Sequence, residues 1–178
     1  MNNRFKQELE SWKNLGFLNP DNLSHDLVEN LPHKYAARAI IVTDDKKIIL
    51  INVESKNIHN IVGGQIEDDE TIEDGLRREC IEESGYNVSI IKKIGYTELW
   101  RERYISFSFC FLVKAIGDPI DLSITKEEEE EGHKICKYDY DEALNLLRSE
   151  LEKTGNVSVK RSLLYLNEIE NDLINMVK

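Results

Sequence analysis

Residues 104–115 alternate between two kinds of side chain, and this alternation constrains the fold more than any other feature of the sequence. One set is large and apolar: Ile105, Phe107, Phe109, Phe111 and Val113. The intervening set is Tyr104, Ser106, Ser108, Cys110 and Leu112. Because successive side chains of a β-strand point to opposite faces of a sheet, we predict a long strand whose apolar face lies in the core. The other face suits either the wall of a cleft or a solvated surface.

The rest of the chain predicts strands mixed with helices around this strand. Further strands are predicted at residues 35–42, 47–53, 87–99 and 134–138, the first two forming a hairpin. Helices are predicted at residues 71–84, 139–148 and 158–176, and a loop at residues 116–132. This order indicates an α+β fold, an α/β/α sandwich in which a mixed β-sheet core is flanked by helices.

The two ends of the chain carry helical patterns. Phe5, Leu9 and Trp12 recur at helical spacing, so residues 1–33 are predicted to form an N-terminal helical extension, with the main domain at residues 34–178. In the last predicted helix, the apolar side runs from Leu163 to Val177.

Length and charge narrow the classes of protein that this chain can represent. Its 178 residues suit one domain with a full hydrophobic core. The formal net charge of −11 argues against a binder of polymeric nucleic acid, which needs a basic surface. No apolar run reaches the roughly 18 residues of a membrane span, and the first residues lack the apolar core of a secretion signal. We therefore expect a cytoplasmic protein with no membrane partner.

Three glutamates stand close together in the predicted helix at residues 71–84. Glu79, Glu82 and Glu83 share one helix face, where each close pair of like charges costs a few tenths of a kcal/mol on an isolated helix. A divalent cation would offset this repulsion, because Mg²⁺ prefers carboxylate oxygens. In so acidic a chain, the alternative is a solvated acidic face.

These glutamates belong to a longer pattern over residues 64–86. Its fixed positions are Gly, five residues, Glu, seven residues, Arg-Glu, two residues, Glu-Glu, one residue, Gly. The residues in register are Gly64, Glu70, Arg78, Glu79, Glu82, Glu83 and Gly85. The pattern resembles the signature of the Nudix hydrolases, and a chance match is on the order of 10⁻⁷ to 10⁻⁸ per starting position. Cys80 and Tyr86 depart from two aliphatic positions of the signature, and Val62 from a frequent proline.

The resemblance implies a Nudix-like fold and an activity. Nudix enzymes hydrolyse a nucleoside diphosphate linked to another group. Carried onto this chain, the likeness implies that Glu79, Glu82 and Glu83 bind Mg²⁺ or Mn²⁺, with the Gly64 carbonyl as a further ligand. It also implies that Arg78 orients Glu70 or Glu79 by ion pairing, and that Glu70 fixes the geometry of the loop and helix.

The general base is left open by the resemblance. In relatives it is a glutamate of the motif or one in a separate loop. The loop candidates for a base or extra metal ligand are Glu98 and, within the acidic run at residues 127–131, Glu128 and Glu130. The alternative for each is a plain surface role.

The substrate class is also left open. The leading expectation is a nucleoside triphosphate or oxidised nucleotide, as for MutT-like enzymes. The alternatives are an ADP-ribose or nucleotide-sugar hydrolase, a dinucleoside polyphosphate hydrolase, and a catalytically silent module that only binds a nucleotide. Trp100, Tyr104 and His59 are candidate substrate contacts, although packing in the sheet explains the two aromatic residues as well. A homodimer formed through residues 1–33 is a further hypothesis.

Overall fold

The structure, a computed structural model, describes residues 4–176, with side chains to residue 173. The strands are β1 (Asn14–Leu18), β2 (His33–Val42), β3 (Ile48–Val53), β4 (Ile58–Asn60), β5 (Asn87–Arg101), β6 (Tyr104–Ile116) and β7 (His133–Tyr138). The helices are α1 (Lys6–Ser11), α2 (His25–Val28), α3 (Ile72–Ser84), α4 (Lys126–Glu131), α5 (Tyr140–Thr154), α6 (Val157–Asn167) and α7 (Glu170–Met176). Val177, expected to continue the last apolar side, lies outside the described residues.

The strands form a mixed sheet in the order β1-β5-β6-β2-β3-β4, with β7 paired to β3. β1 runs parallel to β5 and β2 runs parallel to β6, whereas β5 and β6 form a long antiparallel pair. β2 and β3 form the predicted hairpin but pair only at Val42 and Ile48, so β3 turns away to join β4 and β7. The α+β class with a mixed sheet is confirmed.

Helices cover both faces of the sheet. On one face, α1 brings Trp12 against Phe109 and Phe111, with ring centroids 5.1 Å apart in both pairs. On the other face, the hydroxyl of Tyr165 in α6 lies 2.7 Å from that of Thr97 in β5. Within residues 4–176, no helix is long and apolar enough to cross a membrane.

The second face of β6 is not a solvated surface, so that alternative for residues 104–115 is wrong. Ser108, Cys110 and Leu112 are buried, and the Tyr165 hydroxyl of α6 donates a hydrogen bond to the Ser108 carbonyl. Towards its start, this face borders a cavity at Tyr104 and Ser106. The cleft-wall alternative therefore describes one end of the strand, and core packing describes the rest.

Three sequence-based assignments need correction. Residues 14–18 of the extension form strand β1 rather than helix, because their backbone pairs with β5. The last predicted helix is two helices, α6 and α7, separated at Glu168 and Ile169. The predicted loop at 116–132 contains α4, which Thr125 caps at one end and Gly132, with a φ of 72°, ends at the other.

Candidate active site

The 64–86 segment forms a loop followed by a capped helix. The Thr71 side chain accepts a hydrogen bond from the Asp74 backbone N–H at 3.1 Å, and Gly85 ends α3 with a φ of 72°. Both ends of this helix were predicted. The caps fix where α3 starts and stops, and therefore fix the direction in which its glutamates project.

Gly63 and Gly64 run along the edge of β2 with no space for a side chain. A Cβ on Gly63, whose φ is +129°, would stand 2.1 Å from the Ala37 carbonyl oxygen. A Cβ on Gly64 would stand 2.5 Å from Oε1 of Glu79. The Gly64 carbonyl accepts a hydrogen bond from the Ala37 N–H at 3.0 Å, so it faces β2. Its role as a metal ligand stays a prediction.

Arg78 donates hydrogen bonds to three glutamates and to the loop that precedes α3. Its Nε and Nη2 donate to the two carboxylate oxygens of Glu70, at 2.7 and 3.0 Å. Its Nη1 donates to Glu79 at 2.8 Å and to Glu82 at 2.9 Å, and Nη2 also donates to the Gln65 carbonyl at 2.9 Å. Two of the three candidate metal ligands are therefore ion-paired, each with its second oxygen outside that pair.

The carboxyl groups of this network have different surroundings. Hydrogen bonds from Arg78 lower the pKa of Glu70. Burial raises the pKa of Glu79, and it raises that of Glu83 to about 8. For Glu83, a 2.7 Å hydrogen bond from the Gly63 N–H and the nearby Arg38 oppose the effect of burial. Without a cation, Glu83 is thus the carboxyl group that holds a proton near neutral pH.

A second cluster joins Glu83 to the acidic run. Ligand atoms of Glu83, Glu128 and His133 all lie within 4.8 Å of one another. Glu128 accepts hydrogen bonds from the Thr125 N–H and hydroxyl through Oε2, which leaves Oε1 for another partner. Nδ1 of His133 is buried and has no hydrogen-bond partner within residues 4–176. Its Nε2 lies 3.2 Å from the Glu131 carboxylate. Two carboxylates and an imidazole this close together fit a divalent cation.

His133 was missed by the sequence analysis. The four histidines of the chain show no metal-ligand spacing, and His133 lies fifty residues beyond Glu83. The pairing of β7 with β3 brings it to the site. The one signal in the sequence is its position between Gly132, which follows the acidic run, and the strand predicted at residues 134–138.

Several other predicted site residues lie elsewhere. The carboxylate of Glu98 accepts from the Trp100 indole at 2.6 Å and borders a cavity lined by α2, so it does not join the acidic clusters. Trp100 is largely buried, packs against Phe17 and His25, and borders the same cavity as Glu98. Its assignment as a substrate contact stays a prediction.

His59 is hydrogen-bonded inside the protein and Glu130 lies on the surface, whereas Tyr104 borders a cavity. Nδ1 of His59 lies 2.6 Å from Glu150, and its Nε2 lies 3.1 Å from the Tyr138 hydroxyl, so both ring nitrogens have partners. Its role as a substrate contact stays a prediction. Glu130 is exposed beside Lys126 and lies outside the metal-type cluster. Tyr104 borders the cavity next to Gln65 and remains a candidate contact.

Comparisons with known proteins agree with this geometry. The family described as NUDIX domain matches residues 32–158. The oxidized purine nucleoside triphosphate hydrolase of Mus musculus is 44% identical over 75 residues, which are 41% of this chain and 39% of the mouse protein. The match thus spans about two-fifths of that relative's length.

Two solved structures share the fold. The MutT protein from Methanosarcina mazei Go1 has a TM-score of 0.52 at 15% identity, over 70% of this chain and 94% of its own. The E. coli ORF135 protein has a TM-score of 0.58 at 17% identity, over 81% and 93%. The fold and the family match define a protein with a NUDIX domain. The chain belongs to the Nudix hydrolase family.

Proposed function

We propose that this Nudix hydrolase is a Mg²⁺- or Mn²⁺-dependent pyrophosphohydrolase of nucleoside triphosphates or oxidised nucleotides. One observation carries the proposal: the glutamates of α3 belong to two adjacent groups of charged side chains. Arg78 holds Glu79 and Glu82 on one side, and Glu83 meets Glu128 and His133 on the other. All seven fixed positions of the Nudix signature are present.

The residues that would hold the cation are Glu79, Glu82 and Glu83, with Glu128 and His133 beside them. A bound divalent cation neutralises pyrophosphate oxygens and lowers the pKa of a water molecule. Arg78 keeps Glu79 and Glu82 at fixed positions through a guanidinium that Glu70 holds at two points. Glu128 is the candidate for an extra metal ligand or for the general base, because Oε1 stays outside its capping hydrogen bonds.

The substrate proposal rests on a relative. The mouse protein is named as an oxidized purine nucleoside triphosphate hydrolase, and this name favours an oxidised or ordinary nucleoside triphosphate here. ADP-ribose, nucleotide sugars and dinucleoside polyphosphates are the alternatives. A silent binding module is disfavoured, because every carboxylate of the motif is in place. Cytoplasmic location and a homodimer stay predictions.

A release assay with matched variants tests the activity. With Mg²⁺, we expect phosphate or pyrophosphate release from at least one compound in a panel of nucleoside triphosphates, oxidised deoxynucleotides and the alternative substrates. EDTA should abolish the release. Glu82→Gln should lower turnover at least about 100-fold, because a ligand charge is lost, whereas Glu73→Gln on the exposed side of α3 should leave it unchanged. Equal activity in the two variants would remove the acidic cluster from the mechanism.

A further inference from the structure

A cavity of about 300 Å³ lies beside the Gly63–Gly64 loop, and its lining is cationic. Among its lining residues are four with positive side chains: Lys34, Arg38, Arg101 and Arg161. Among the described residues, no aspartate or glutamate lines it, although the whole chain carries a net charge of −11. Such a concentration of positive charge in an acidic protein requires an explanation, because like charges held together lower stability.

Arg161 is the residue that the rest of the protein leaves uncompensated. Its side chain extends from α6, and the residue is only 8% exposed. It makes no hydrogen bond or ion pair with the other described residues, and its Nε is buried without a partner. Burial, and then the neighbouring Arg38, lower the pKa of Arg161 to about 10, so its guanidinium is still charged at neutral pH.

Arg38 connects the cavity to the acidic site. Its Nη1 donates to the Gly63 carbonyl, and its Nε is buried without a hydrogen-bond partner within residues 4–176. Its charge also opposes the larger effect of burial, which raises the pKa values of Glu79 and Glu83, so it lies close to both. The loop therefore separates two neighbouring regions, one acidic and one cationic.

The start of α6 adds positive potential to the same cavity. Val157 and Ser158, the first residues of this 11-residue helix, border it. The Asn156 side chain accepts from the Ser158 N–H at 2.8 Å and from the Val159 N–H at 3.4 Å, which caps two donors of the first turn. The positive end of the helix dipole points towards the space that Arg38 and Arg161 border.

The other two cationic side chains that line the cavity, those of Arg101 and Lys34, have neighbouring groups that partly compensate their charge. Nε of Arg101 lies 3.2 Å from the Asp21 carboxylate, and Nζ of Lys34 lies 4.6 Å from the centre of the Tyr104 ring. The excess charge is therefore concentrated at Arg38 and Arg161. A neutral nucleobase would accept hydrogen bonds from these groups but would not balance their charge, whereas a phosphate group does both.

We propose that this cavity binds a phosphate group of the substrate other than the one attacked at the acidic site. The proposal rests on the proposed function, and it narrows the substrate class. The substrate is a nucleotide whose phosphates extend past the scissile linkage, either along a polyphosphate chain or at a second phosphorylated end. Arg161 then determines specificity by recognising the number and position of phosphates.

Metal-free binding of inorganic pyrophosphate tests this inference separately from hydrolysis. In EDTA at constant ionic strength, calorimetry should detect pyrophosphate binding to the wild-type protein and not binding of deoxyguanosine, a neutral nucleoside probe. Arg161→Gln should weaken pyrophosphate binding at least about tenfold, and Arg161→Lys should retain most of it. Lys114→Gln, an exposed lysine paired with Asp44 away from the cavity, serves as the matched control.

Folding is checked in the same samples. Arg161→Gln removes a buried unpaired charge, so its thermal midpoint without ligand should equal or exceed that of the wild type. Pyrophosphate should raise the midpoint of the wild type and not that of this variant. Equal pyrophosphate affinity in wild type and Arg161→Gln, or a preference for the nucleoside, overturns the inference. Neither outcome affects the Mg²⁺-dependent release assay, which tests the proposed function.

Discussion

Arg78 explains how α3 tolerates three glutamates on one face. Glu79 and Glu82 would repel each other, but both accept hydrogen bonds from the same guanidinium nitrogen. Glu70 accepts two further hydrogen bonds from that guanidinium, and these fix the position of the guanidinium relative to Glu79 and Glu82. A cation was expected from the sequence to offset the repulsion. The structure assigns part of this task to Arg78 and leaves Glu83 buried without a positive hydrogen-bond partner.

The raised pKa of Glu83 predicts that the stability of the protein depends on pH. The ordinary Glu83 pKa of 4.5 is raised by burial to about 8. Between these values the unfolded state releases the proton while the folded state keeps it, so stability falls as pH rises through this range. In EDTA, Glu83→Gln should flatten this fall and raise the thermal midpoint at pH 8 by about 3 °C or more.

Thermal unfolding from pH 5 to pH 8 measures this effect. Glu73→Gln, which changes an exposed glutamate of the same helix, should follow the wild-type curve. If the Glu83→Gln curve also runs parallel to the wild-type curve, burial of the Glu83 charge does not control stability.

Among the elements, α4 shows why an acidic run can have a defined structure. Five successive glutamates suggest a solvated loop, but Thr125 and Glu128 form a capping box. Negative residues in the first turn also interact favourably with the helix dipole. The resulting helix directs Glu128 towards Glu83 and His133, whereas Glu130 remains on the exposed side.

A conservative change at Glu128 separates its capping role from its proposed metal role. Glutamine at this position can still form the capping box, so Glu128→Gln should preserve α4 while removing a ligand charge. We expect Mn²⁺ affinity, measured by electron paramagnetic resonance of the free ion, to fall about tenfold. Glu130→Gln should bind Mn²⁺ as the wild type does. Equal affinity in both variants would leave Glu128 with the capping role alone.

Local signals determined what could be predicted at the level of elements. The caps at Thr71 and Gly85, the spacing of the glutamates and the alternation in β6 each depend on residues close in sequence. His133, Arg38 and Arg161 reach the site through strand pairing and helix packing across long separations, and a single sequence does not reveal such contacts. β1 escaped prediction for the same reason, because its partner strand lies about eighty residues away.

In the whole molecule, the N-terminal segment is part of the core. β1 extends the sheet beside β5, and Phe5, Leu18 and Val28 are buried. Phe5 contacts Tyr35 and Phe109, with ring centroids 5.0 and 5.9 Å away. The division at residues 33 and 34 stays a prediction; the family match begins at residue 32, and the residues before it share the core of the domain.

Phe5→Ala tests whether this segment stabilises the catalytic fold. Loss of a buried phenyl ring should lower the free energy of unfolding by about 3 kcal/mol, measured by urea denaturation. Phe17→Ala, at a phenylalanine of the same segment that is 52% exposed, should cost about 1 kcal/mol through its contact with Trp100. If residues 1–33 were instead a separate dimerisation arm, Phe5→Ala would leave the denaturation midpoint unchanged and alter only the elution volume in gel filtration.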